Sequence, residues 1–129
     1  MTDVFNPTED HLAIREMVRS FAETEIAPRA EASDRDEFFD LGLFRRLGEL
    51  GLLGLTTEER FGGADLDATA AVIVHEEIAA ADPGFCLSYL AHAILYVHNL
   101  HINGNEEQKM RYLPAACSGE HIGGMCMSE

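Results

Sequence analysis

Basic residues are scarce in this chain. Nine lysines and arginines face 23 acidic residues over 129 positions, a formal net charge of −14. That deficit excludes nucleic acid or an anionic membrane surface as the main partner. Cysteine is scarce too. Cys86, Cys117 and Cys126 are odd in number and far apart, and no CxxC occurs. A disulfide framework and a zinc site are thereby excluded, and free thiols in a reducing compartment fit best. The start, MTDVFNPTED, has no basic opening, no apolar core and no Arg/Ser bias. It reads as neither a secretory signal nor a transit peptide, so a cytoplasmic location is expected. The longest apolar run, Phe85 to Val97, is interrupted by Ser88 and His92 and is too short to span a bilayer. No Lys-Ser/Thr follows Phe61-Gly62-Gly63, which removes a phosphate loop. Internal repeats and low-complexity segments are absent.

What is present is a folded domain's composition, 47 % hydrophobic and 25 % charged. A chain of this length buries about 65–70 % of its unfolded surface. Helix signals follow one another. Asn6 caps a first helix, with Pro7 at its first position and Glu9 as capping-box partner; Thr8 is the rival cap. Ile14, Val18, Phe21 and Glu25, flanked by Met17 and Ala22, share one face. Pro28 disfavours helix at Ala27 and is expected to end or kink the element. A second helical pattern, Phe38 to Leu50, stops at Gly51, where a left-handed residue is expected. "GLLGLTTEERFGGADLD" is a glycine-punctuated connector. Asp67 caps the next helix, which Asp82-Pro83-Gly84 breaks. Phe85 to Ile102 forms the most apolar helix. Its apolar residues occur on most faces, so it is expected deep in a bundle. Asn105 to Gln108 is a capping box with two acids at the positive helix end. Pro114 and Gly119 punctuate the last helix. "HIGGMCMSE" follows a helix stop and reads as the start of a strand.

Six histidines raise the question of a metal. His98 and His101 share a helix face, but His92 lies on the far side, and no carboxylate stands at a suitable spacing. No metal site is expected. His75-Glu76-Glu77 lacks the second histidine of a metalloprotease motif, and its acids read as a solvated or interhelical polar pair. Ser88, Cys86 and Tyr89 form no arguable nucleophile–base pair; in an apolar helix they read as packing, or as the lining of a cavity for an apolar ligand. The residues alone define an acidic, all-α domain with a strand starting at its end.

The order of motifs adds a resemblance. "LGELGLLGLTTEERFGGADLD", "HEEIAAAD", "SYLAHAILYVHNLHINGNEEQKMRYLP" and "SGEHIGGMCMSE" together resemble the amino-terminal part of an acyl-CoA dehydrogenase, from about Asn6 to Glu129. The SY-x-AH and NGNEEQ stretches are most similar to the isovaleryl-CoA dehydrogenase branch. The resemblance implies an all-α amino-terminal domain over 1–121 and the first strand of a middle β-domain over 122–129. It implies FAD, held between later domains and a neighbouring subunit. It implies a homotetramer or homodimer that oxidises acyl-CoA to 2-enoyl-CoA and passes electrons to an electron-transfer flavoprotein, in fatty acid or branched-chain amino acid catabolism. Met125, Cys126, Met127, Ser128 and Glu129 would border the flavin. Ser88, Ala91, His92 and Leu95 would line the acyl pocket, with the small Ala91 leaving room for a short or branched chain. The family's catalytic base matches no position here, so no catalytic residue is nominated, and the chain alone is expected to be inactive. The rival expectation is a non-catalytic helical module that pairs with a catalytic chain.

Overall fold

A computed structural model describes residues 3–128; Glu129, expected at the flavin, lies outside them. The described residues form helices joined by one long connector and contain no strand.

The first helix, α1, spans Glu9–Phe21. Thr8, not Asn6, caps it: its hydroxyl accepts from the His11 N–H at 3.2 Å. Asn6 serves elsewhere, accepting from Arg15 Nε at 2.6 Å. Of the two outcomes expected at Pro28, an end or a kink, the chain does not end there. A π-helical segment, Ala22–Ile26, carries the chain into α2, Ala27–Arg35, where Pro28 falls in the first turn. An uninterrupted α-helix would lack one N–H at Pro28 and crowd the carbonyl four residues before it. The wider π turn offsets that register.

Asp40 caps α3, Leu41–Glu49, whose Leu43, Phe44 and Leu47 are buried. Each buried side chain of that size contributes about 1.5–3 kcal/mol. Gly51 stops the helix at φ +75°, the left-handed conformation a glycine adopts without strain. The connector holds one 3-10 turn, Glu59–Phe61. Asp67 caps α4, Ala68–Ala81, by accepting from the Ala70 N–H at 2.9 Å.

Asp82 then caps α5, Pro83–Leu90, which continues through a second π-helical segment, Ala91–His98, into α6, Asn99–Asn103. The expected capping box at Asn105 and Gln108 opens α7, Glu106–Ser118, and Gly119 closes it at φ +82°.

Helix α1 packs along α4 and α4 along α5; α7 packs on α3 and on the connector's 3-10 turn. The larger core cluster draws on α1, α3, α4 and α5. A smaller one joins Phe61, Val97, Leu113, Ala116 and Cys117. The α5–α6 run does not lie deep in the bundle as expected. Phe85, Tyr89, His92, Ala93 and Val97 are buried, but Leu87 and Ile102 are 67 % and 61 % exposed. The chain covers one face of this run and leaves an apolar face open. Residues 122–128 form no strand among the described residues. A strand exists only as part of a hydrogen-bonded ladder, and no second extended segment lies beside them.

Candidate functional site

The groove follows from how α6 ends. Gly104 ends α6, Asn105 at once caps α7, and the 124–126 segment lies beside the π-helical segment and α6. Between them lies an open groove of about 510 Å³, lined by Leu95, Tyr96, Asn99, Leu100, Met125 and Cys126 among others. Thus the structure brings Leu95, expected at the acyl chain, beside Met125 and Cys126, expected at the flavin. Asn99 Nδ2 donates to the Met125 sulfur at 3.7 Å, a weak contact across the groove. Asn103 Nδ2 in turn donates to Asn99 Oδ1 at 2.6 Å, which orients that amide.

The other expected residues fall outside the lining. Ser88 and Ala91 are half-buried earlier on the same run, and Met127 and Ser128 are exposed beyond the groove. His92 lies on the inward side and is fully buried. Its Nε2 donates to the Ala116 carbonyl at 2.9 Å, and its Nδ1 accepts from the Gly123 N–H at 3.0 Å. The two bonds together require the neutral ring with its proton on Nε2. Burial pulls its pKa below the ordinary 6.5, while the backbone bonds oppose that shift. Phe44 and Tyr96 stand edge-on to the ring at 5.6 and 5.8 Å.

Tyr96, Asn99 and Gly123 carry no chemistry-bearing signature and were not among the expected residues. Gly123 had one readable signal, its place in a Gly-Gly doublet before the expected flavin segment. The Tyr96 ring explains it: a β-carbon at 123 would sit 2.5 Å from two ring atoms.

No carboxylate, histidine or basic side chain lines the groove among the described residues. The described lining can bind and orient, and none of its side chains is a proton acceptor for catalysis. His98 and His101 are tied to the fold. His98 meets Thr56 Oγ1 at 2.7 Å and His101 meets Glu58 at 3.4 Å, so both reach the connector. No group of three potential metal ligands occurs among the described residues. Cys117 is buried and its thiol is pushed up to about 11, which leaves it protonated and inert. A smaller cavity of about 350 Å³ lies away from this site, near α2 and α3, beside Phe38 and Phe39. Its Arg29 already pairs with Asp40 at 3.3 Å, and Asp40 and Asp82 are spent as helix caps.

The sequence model of a family described as "Acyl-CoA dehydrogenase, N-terminal domain" matches residues 8–120. The chain belongs to the acyl-CoA dehydrogenase family. Within it, the chain is 44 % identical over 117 residues to isovaleryl-CoA dehydrogenase, mitochondrial, of Solanum tuberosum, covering 89 % of this chain and 28 % of that protein. To the isovaleryl-CoA dehydrogenase, mitochondrial, of Pongo abelii it is 43 % identical, covering 95 % of this chain and 29 % of that protein. Its fold matches an acyl-CoA dehydrogenase from Bacillus anthracis solved in complex with FAD, with a TM-score of 0.84, 32 % identity and coverage of 90 % and 20 %. It also matches a chain from a structure described as the electron transferring flavoprotein of Acidaminococcus fermentans, with a TM-score of 0.86, 33 % identity and coverage of 93 % and 32 %. This acyl-CoA dehydrogenase domain spans under a third of the curated relatives' length. Among its described residues, no helix is long and apolar enough to cross a membrane.

Proposed function

We propose that this chain serves an FAD-dependent dehydrogenation of a short or branched acyl-CoA to its 2-enoyl-CoA, with isovaleryl-CoA as the leading substrate. The meeting of Leu95 with Met125 and Cys126 across one groove carries the reading: one residue expected at the acyl chain and two expected at the flavin share a lining. The relatives named isovaleryl-CoA dehydrogenase support the substrate class.

The terminal segment fits a flavin ring in its chemistry. Among the described residues, the peptide groups of 124–128 make no hydrogen bond, so their N–H and C=O groups are open to a heteroatom-rich ring edge. Met125 and Met127 present polarizable thioethers suited to an aromatic face. Ser128 adds a hydroxyl that can donate or accept. When bound, FAD supplies the acceptor for the β-hydride. The chain's own part is orientation: Leu95, with Ser88 and Ala91 earlier on the run, bounds the acyl chain, and Met125 to Ser128 sets the flavin's approach. Accurate placement is the main contribution such residues make to a reaction whose α-proton is only weakly acidic. No groove residue is assigned the proton abstraction.

Electron transfer to an electron-transfer flavoprotein, and assembly as a homotetramer or homodimer, belong to the same reading. The open apolar face of the α5–α6 run, with Leu87 and Ile102, supports the assembly.

The test is a panel of acyl-CoA substrates of increasing chain length, with dye reduction as the readout, on the protein as its source cells make it. Isovaleryl-CoA and other short chains should turn over, and long chains should not. Leu95→Phe narrows the groove and should raise KM for isovaleryl-CoA roughly tenfold. Turnover of long chains in preference to isovaleryl-CoA, or no turnover of any acyl-CoA, refutes the proposal.

A further inference from the structure

We infer that His92 is a positioning residue: it fastens the 122–128 segment to the helical core and so fixes where Met125 to Ser128 meets the flavin. The inference rests on the functional reading above for its flavin half, and on geometry alone for the fastening.

Four observations bear on the fastening. First, His92 is fully buried, and both ring nitrogens are used, one toward Ala116 near the end of α7 and one toward Gly123. Second, the Gly123 N–H bond is the backbone tie of the segment to the core, because residues 124–128 make no backbone hydrogen bond among the described residues. Third, Gly123 packs so close to the Tyr96 ring that an added β-carbon would displace one or the other. Fourth, His92 and Tyr96 both lie in the π-helical segment Ala91–His98, which also presents Leu95 to the groove. One element therefore holds the segment on its inner side and lines the groove on its outer side. A shift of Gly123 would move Met125 relative to Leu95, changing the space both sets share.

The two bonds of His92 are not equivalent. The Ala116 carbonyl also accepts from the Gly119 N–H at 3.3 Å, so losing the imidazole leaves it with a partner. The Gly123 N–H has His92 Nδ1 alone among the described residues. The segment should thus answer to the Nδ1 side of the ring. An asparagine places its amide oxygen near the Nδ1 position, whereas a glutamine reaches toward Nε2.

The experiment compares wild type, His92→Asn, His92→Gln and Gly123→Ala, each in the protein as its source cells make it, by amide hydrogen exchange and by titration with FAD. Far-UV circular dichroism of each variant checks that the helices are intact. Gly123→Ala keeps the imidazole and acts through the Tyr96 ring instead, and it serves where His92→Gln fails to fold. His92→Gln and Gly123→Ala should speed exchange of the Gly123 to Met125 amides about tenfold, the loss of one hydrogen bond, and weaken FAD binding by a similar factor. His92→Asn should stay near wild type in both. Unchanged exchange in both His92→Gln and Gly123→Ala overturns the fastening. Faster exchange with unchanged FAD affinity overturns the positioning role. A wild-type protein that takes up no FAD refutes the functional reading instead, and the exchange rates still decide the fastening.

Discussion

His92 shows how far a single residue's role depends on the fold around it. As a residue type it suits pocket lining, proton transfer or metal binding; in place, it is a neutral ring spent on two backbone groups. Its pKa is pulled below 6.5 chiefly by burial, so the unfolded chain binds more protons than the folded one as pH falls below 6.5. Stability is therefore full above 6.5 and declines with falling pH toward the lower folded value. The groups facing the ring are Phe44, Tyr96 and the backbone of Ala116 and Gly123, none of which carries charge in that window. Urea midpoints between neutral and mildly acidic pH should fall in wild type and fall less in His92→Asn; equal declines in both would remove His92 as the cause. Composition and spacing located this histidine on an apolar helix but not on which side of it. On the inward side it meets Phe44, Ala116 and Gly123, the last 31 residues away, contacts that no local pattern encodes.

Elements were legible where their ends carry polar chemistry. Asp67, Asn105, Gly51 and Gly119 all stand where caps and stops were expected, because each satisfies backbone groups within its own few residues. The π-helical segments were not legible. They shift register by one residue without a composition of their own, and Pro28 shows the result: read as an end or a kink, it sits inside a continuous helical path with a π-helical segment just before it. The exposed face of α5–α6 escaped for a different reason. A helix apolar all round can be buried all round or can await a partner, and periodicity cannot separate the two.

The α1–α4 pairing makes a quantitative expectation. Glu77 is buried between the helices and accepts from Arg19 Nε and Nη2, both at 2.9 Å, and from Arg15. Arg15 also donates to Glu76 at 2.8 Å. The Arg19 hydrogen bond, ahead of Arg15, pulls the Glu77 carboxyl below its ordinary range against the opposing cost of burial. Glu77→Ala removes the shared acceptor and should cost about 2–3 kcal/mol in denaturant unfolding. A loss under about 0.5 kcal/mol would place Glu77 with ordinary surface ion pairs instead.

Across the whole molecule, the acidic surplus and the open apolar face point the same way. Most of the few basic side chains are already engaged: Arg15, Arg19, Arg29, Arg35, Arg46 and Arg60 each pair with acids. Among the described residues none lines the groove, so the groove presents no cationic cradle for phosphates. The family and helical architecture were readable from ordered motifs along most of the chain, and the match over residues 8–120 agrees. The groove was not readable as a whole, because it joins residues 95 to 100 with 124 to 126 through a chain reversal at Gly104. The most direct measurement of the central claim is one visible absorption spectrum of the protein from its source cells, taken anaerobically before and after adding isovaleryl-CoA. A flavin spectrum that bleaches on addition is the predicted result. A colourless protein, or a flavin spectrum that isovaleryl-CoA leaves unchanged, would contradict it.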